Sequence, residues 1–232
     1  MTLALDPVSD AVLTRLHRRA RGEQPALAWL YARQLPSLLL GRGIRFSPGT
    51  SARLDDKLIP VGPEVGALLY LLARASGARR VVEFGTSLGV STIYLACAVR
   101  DNGGGVVIGS EIVPEKAAAA RRHLEEAGVA EWVELREGDA RETLAQQSGP
   151  VDMLLLDGFP PLARELLTLL EPRLRPGALV LVDDARLFQR DLGPLRAYLE
   201  APGSGYRSTV LSIDDGLLLA VRGSSSARVI DA

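Results

Sequence analysis

From Ala78 onward, short apolar runs alternate with segments whose apolar positions recur every three or four residues. ARRVVEFG, VVIGSE, WVELREG, VDMLLLDG and ALVLVDD read as strands, apolar throughout as in parallel strands covered on both faces. Between them the period predicts helices over Val90–Arg100, Pro114–Ala127, Arg141–Gln147 and Leu162–Leu170. DNGGG stops the first of these, and the second opens on proline and is followed by Gly128. The alternation predicts an α/β fold, a doubly wound sheet with right-handed crossovers. A last helix near Leu192–Leu199 leads to STVLSI and LLLAVR, joined by Asp214-Asp215-Gly216. Aspartate–glycine between two strands signals a tight hairpin, so these two are expected to pair antiparallel.

The first fifty residues differ. Asp10–Arg21 and Pro25–Leu40 carry Leu, Ala and Arg at helical spacing, and GRGIRFSPGTS then breaks the pattern. A third helix is expected over Pro63–Ser76, with Val65, Leu68, Leu69 and Leu72 on one face. The expected organisation is a helical extension over 1–56, an α/β domain over 57–223 and a loose polar tail over 224–232. Apolar stripes on the extension need a partner, which predicts a lid over a pocket or a contact in a homodimer.

Composition narrows the function. The chain of 232 residues suits one domain, and 47% hydrophobic with 24% charged residues excludes disorder. Basic and acidic residues number 27 and 28, so no broad basic face is expected and nucleic acid is an unpromising partner. One cysteine, Cys97, forms no internal disulfide, and beside Leu95, Ala96 and Val99 it reads as core. MTLALDPVSDAVL has no basic region ahead of an apolar stretch, and the apolar window Ala26–Leu40 is broken by Arg33, Gln34 and Pro36. Neither a secretory signal nor a membrane span is predicted, which points to the cytoplasm. His17 and His123 lie in Arg- and Glu-rich helical stretches and are expected to be solvated.

In an open α/β sheet, ligands bind at the carboxyl ends of the strands. The first strand ends in VVEFGTSLGVST, where Gly85 and Gly89 flank a loop opening onto a helix N-terminus, a source of free N–H groups. The dinucleotide pattern Gly-x-Gly-x-x-Gly is not met, because Ser87 stands at the middle glycine. Glu83 would repel a pyrophosphate but attract the ammonium of an amino-acid moiety, which favours S-adenosylmethionine over NAD. Glu111 ends the second strand, where an acid can accept from ribose hydroxyls, and Gly138-Asp139-Ala140 ends the third, near an adenine edge. Each also has a plain structural role open to it: a tight turn at Gly85, a helix cap at Asp139, a strand-end acid at Glu111.

Taken together, the stretch from Lys57 to Arg222 resembles the class I S-adenosylmethionine-dependent methyltransferases, and within them the cation-dependent O-methyltransferases of the catechol and caffeoyl-CoA group. VVEFGTSLGVST resembles that group's first motif, SEIVPEKAAAARRHLEEAG its ribose-binding acid and following helix, and VELREGDARETL its adenine loop. VDMLLLDG and RPGALVLVDD resemble its fourth and fifth strands, and KLIPVGPEVG the stretch that borders the cofactor. The resemblance implies a Rossmann-like sheet in the order 3-2-1-4-5-7-6 with the last strand antiparallel. It implies cofactor contacts at Val61 before the core and at Glu83, Gly85, Thr86, Ser87 and Ser91 around the first loop. Further contacts are implied at Glu111, Ile112, Asp139, Ala140 and Asp157.

The family holds a magnesium-type ion on acids after its fourth and fifth strands. The matching residues are Asp157, Asp183 and Asp184, with Asp184 where the family has asparagine, an oxygen set suited to magnesium or manganese. The family's lysine base is missing: Pro160 stands in its place and Pro161 follows, which predicts a helix start instead. Three readings follow: an ion alone acidifies the hydroxyl, another group such as Lys57 is the base, or an already ionised group is methylated without metal. The expected function is S-adenosylmethionine-dependent O-methylation of a small hydroxylated aromatic, with Lys57 and Asp157 as catalytic candidates. Two rivals remain: a protein of this fold that binds cofactor without methyl transfer, and an NAD-dependent oxidoreductase.

Overall fold

The computed structural model describes residues 5–32, 40 and 59–224. Seven strands form one sheet: β1 Arg80–Phe84, β2 Val106–Glu111, β3 Val133–Glu137, β4 Val151–Leu156, β5 Leu174–Val182, β6 Tyr206–Leu211 and β7 Leu217–Arg222. Their order is β3-β2-β1-β4-β5-β7-β6, with β7 antiparallel to both neighbours, as the resemblance implies. The hairpin turn sits at Asp214–Gly216, where Asp214 at φ 44° and Gly216 at φ 93° take the left-handed backbone such a turn demands.

Strand alternation divides the core into two layers. Val81, Val107, Met153, Leu155 and Leu181 face one side, and Val82, Ile108, Leu154, Leu156 and Val182 the other. The first layer is closed by α1 Pro7–Tyr31, α2 Pro63–Ala75, α3 Val90–Asp101 and α4 Pro114–Glu126. The second is closed by α5 Ala140–Thr143, α6 Ala163–Leu170 and α7 Gly193–Glu200.

Five expectations are corrected. Among the described residues, a single helix, Pro7–Tyr31, runs through the break expected between Arg21 and Pro25. Proline's fixed φ is itself helical, so it costs a hydrogen bond without forcing the chain out. Residues 33–39 and 41–58 lie outside the described residues, as does most of the expected tail. Second, β3 is half-exposed rather than apolar throughout, because it is an edge strand paired to β2 alone. Third, the helix expected to Gln147 ends at Thr143.

The fourth is His17, which is buried, with Nε2 3.4 Å from the Tyr94 hydroxyl. It is buried because α1 is docked on the sheet's own helices rather than standing clear. Val12, Leu13 and Leu16 enter the first core layer, so this part of the apolar stripe finds its partner inside the chain. Asp6 caps α1 through Ser9 and binds Arg100 of α3, while Ser9 Oγ reaches the Ala127 carbonyl. These bonds hold the Asp6 carboxyl at about 2 against its burial. The fifth is His123, which is also not simply solvated: its Nδ1 donates to the Leu88 carbonyl at 2.9 Å.

Burial, with the charge of Arg21 behind it, lowers the His17 pKa. The unfolded chain then binds the His17 proton more readily, so its contribution is full above about 6.5 and is lost as pH falls below that value. Urea unfolding of wild type and His17→Gln at pH 7.5 and 5.5 is expected to show the wild-type advantage shrinking at the lower pH. An advantage that does not change would contradict the buried neutral ring.

Candidate functional site

A cleft opens at the carboxyl ends of β1 and β4. It is lined by Ile59, Pro60 and Val61, by Gly85 to Leu88 with Val90 and Ser91, and by Asp157. The loop after β1 reaches β4 because Gly85 has no side chain. At φ 94° it takes a left-handed backbone, and a Cβ there would lie 2.6 Å from the Asp157 carbonyl oxygen and from Gly158 Cα. Gly158 in turn leaves room for the Phe84 ring, 2.5 Å from where its own Cβ would stand. Gly89 at φ 86° turns the chain into α3, whose N-terminus carries no side-chain cap. The first N–H groups of this 12-residue helix are thus available to a ligand.

Glu83 shares the sheet face of Val81 and points at α3, so it is fully buried behind the cleft wall. Its Oε1 accepts from Ser91 Oγ at 2.7 Å, and its Oε2 from Thr86 Oγ1 at 2.9 Å and Thr92 Oγ1 at 2.6 Å. Burial raises its pKa, and the three hydroxyls oppose that rise. Gly109 on neighbouring β2 makes the space, since a Cβ there would meet Thr86 Oγ1 at 2.3 Å. Thr92 was not among the residues read from the sequence, although its place one position after Ser91 on a helix turned toward the sheet would have found it.

Glu111 is buried at the end of β2 and accepts backbone N–H bonds from Ser87 at 2.7 Å and Val113 at 2.8 Å. An ionised carboxylate has about four acceptor positions, so capacity remains for two hydroxyls. Beside it Ile112 is 65% exposed, an apolar surface at the strand end. Asp139 caps α5 through the Arg141 N–H at 2.9 Å, and the Arg141 guanidinium lowers its pKa. Ala140 follows, buried, at the start of that helix. Asp139 therefore fills its plain structural role, whatever else it does.

Asp157, Asp183 and Asp184 stand half-buried at the ends of β4 and β5. Loss of water and the charges of Asp183, Asp184 and Glu83 push Asp157 well above the usual carboxylate range. Asp184 is raised likewise by burial, Asp183, Asp215 and Asp214, and Asp183 rises to about 6 through burial with Asp214 and Asp215. Among the described residues, no group of three His, Cys, Asp or Glu side chains is placed so that it could hold a metal ion. Pro160 is buried and opens a short 3₁₀ turn leading into α6, as its sequence predicts. Lys57 lies outside the described residues.

Comparison with known proteins follows the same line. Residues 82–185 match a family described as a methyltransferase domain. A protein of Niastella koreensis named catechol O-methyltransferase is 35% identical over 130 residues, 54% of this chain and 58% of that one. A Mycolicibacterium vanbaalenii protein named as an O-methyltransferase is 33% identical over 175 residues, 70% of this chain and 76% of that one. Among solved structures, the O-methyltransferase TomG from Streptomyces achromogenes, in complex with S-adenosylmethionine, aligns with TM-score 0.65 and 28% identity over 81% of this chain and 94% of that one. The Bacillus cereus O-methyltransferase bound to S-adenosylhomocysteine, at 24% identity and TM-score 0.64 over 75% of this chain and 87% of that one, shares the fold.

Because both the left-handed backbone and the contact with β4 exclude a side chain, Gly85→Ala is expected to destabilise the protein by on the order of 3 kcal/mol. Urea unfolding measures this, and a loss below about 1 kcal/mol would mean that the loop relaxes away from β4 at little cost.

Proposed function

Since the chain belongs to the S-adenosylmethionine-dependent O-methyltransferases, we propose that its cleft holds S-adenosylmethionine and that a hydroxyl of a small hydroxylated aromatic molecule receives the methyl group. The observation that carries the reading is the convergence on one strand edge of an uncapped helix N-terminus, a carboxylate with spare acceptor positions and a cleft acid. The α3 N–H groups suit the carboxylate of the cofactor's amino-acid end. Glu111 suits the ribose hydroxyls, with Ile112 beside it as an apolar surface for adenine and Asp139 and Ala140 closing the far side. Val61, Gly85, Thr86, Ser87 and Ser91 then border the amino-acid end, with Glu83 behind them.

S-adenosylmethionine supplies a methyl group on a positively charged sulfur. The accepting oxygen must lose its proton, and in-line positioning contributes several kcal/mol to such a displacement. Asp157 lines the cleft and is a carboxylate in place to take that proton, a task for which Pro160 has no group. Lys57 is the other candidate for the role.

Asp157, Asp183 and Asp184 as they stand do not form a three-ligand set. What speaks for a divalent ion is charge: Asp157, Asp183 and Asp184 repel one another, and the described charges acting on them are all acidic. The manganese EPR signal of a solution titrated with protein loaded with S-adenosylhomocysteine decides between the two. The reading without an ion predicts that the free-ion signal stays. Its loss with wild type but not with Asp183→Ala would add metal assistance at these acids.

S-adenosylhomocysteine formation with a panel of catechols, monophenols and carboxylic acids tests the function itself. Turnover of hydroxylated aromatics is expected, and Asp157→Asn is expected to lower kcat by roughly 10²-fold or more. No product with any acceptor, together with tight cofactor binding, would favour a protein that binds without transferring. Turnover of the acids alone would move the substrate class to ionised groups.

A further inference from the structure

The β6–β7 turn touches the rest of the chain on two sides. On one, the N–H groups of Ala185 and Arg186, just past β5, donate to the Gly216 and Asp215 carbonyls at 2.7 and 2.9 Å. On the other, the Asp214 carboxylate lies against Gly62, where a Cβ would meet its Oδ2 at 2.0 Å. Gly62 directly follows Ile59, Pro60 and Val61, which line the cleft, and leads into α2. Its φ of −63° and ψ of 160° are open to any residue, so glycine serves the approach of the carboxylate here and not the backbone.

The head of α2 has no side-chain cap, and a carboxylate arriving from another element suits its positive end. Burial and the charges of Glu64 and Asp215 oppose that placement and raise the Asp214 pKa. Ile213, the neighbour of Asp214, packs on the core layer that also holds Val61. We propose that Asp214 is a positioning residue for cofactor binding: from a turn anchored on the end of β5 it holds the segment 59–62 against the cleft and slows release of the cofactor. This rests on the S-adenosylmethionine reading above. Asp214 does not itself line the cleft and acts through Gly62 and Val61.

The test is the dissociation rate of S-adenosylhomocysteine, read by surface plasmon resonance, from wild type, Asp214→Gly, Gly62→Ala and the double variant. Asp214→Gly removes the carboxylate yet suits the left-handed backbone at φ 44°, so the turn keeps its shape. In Gly62→Ala the new methyl displaces either the carboxylate or the segment, and the contact is lost both ways. Each single change is expected to speed release by roughly fivefold or more, and the double variant is expected to release no faster than Asp214→Gly alone. Asp214→Gly decides by itself if Gly62→Ala does not fold. Release from Asp214→Gly at the wild-type rate, or effects that multiply in the double variant, would overturn the proposal while leaving the cofactor reading intact. Failure of wild type to bind S-adenosylhomocysteine would overturn both.

Discussion

Negative charge gathered at the carboxyl edge of a parallel sheet is the constraint on which this molecule turns. Glu83, Glu111, Asp157 and Asp183 end β1, β2, β4 and β5, and Asp184 adds a fifth carboxylate. Two of them are stabilised from within: Glu83 by three hydroxyls, Glu111 by two backbone N–H groups. Asp183 has one backbone hydrogen bond, from the Asp184 N–H, and all three aspartates are pushed up in pKa by loss of water and by the charges of neighbouring acids. An edge of this kind favours a cation. A sulfonium cofactor carrying an ammonium would supply two positive charges, and the positive end of α3 would suit its carboxylate.

The fold serves that edge through close approach. Gly85, Gly158 and Gly109 each stand where a Cβ would strike a neighbour within 2.6 Å, so the ends of β1, β2 and β4 are drawn together more tightly than side chains permit. By strand alternation Glu83 and Glu111 share the face of Val81 and Val107, the side of the sheet that α2 and α3 cover. The N-terminal helix adds a further layer on that side, held by Asp6, Ser9 and Arg100 and by the apolar face of Val12, Leu13 and Leu16. Its docking extends the core instead of leaving a detached arm.

Much of this was legible in the residues. Strand alternation with helices pointed to a doubly wound sheet and the aspartate–glycine turn to an antiparallel hairpin, each a local signal with one geometric consequence, while the strand order came from what the family resemblance implies. Pro160 and Pro161 announced a helix start for the same reason. Less legible was direction. Glu83 ends a strand beside a cofactor-type loop, but which way it faces depends on the parity of the strand against α3, and it proves to stand behind the cleft wall. His17 looked solvated among arginines because the helix on which α1 would dock is distant in sequence. The aspartate trio is similar: adjacent strand ends place the three acids near one another, yet spacing along the chain does not say whether their oxygens converge.

The central claim is that this acidic edge is the seat of the cofactor. The most direct measurement is a crystal structure of the protein grown with S-adenosylhomocysteine. The account predicts ribose hydroxyls on Glu111 and the ligand's carboxylate at the α3 N-terminus. Ligand bound away from the ends of β1 and β2, or a ribose that makes no contact with Glu111, would contradict it.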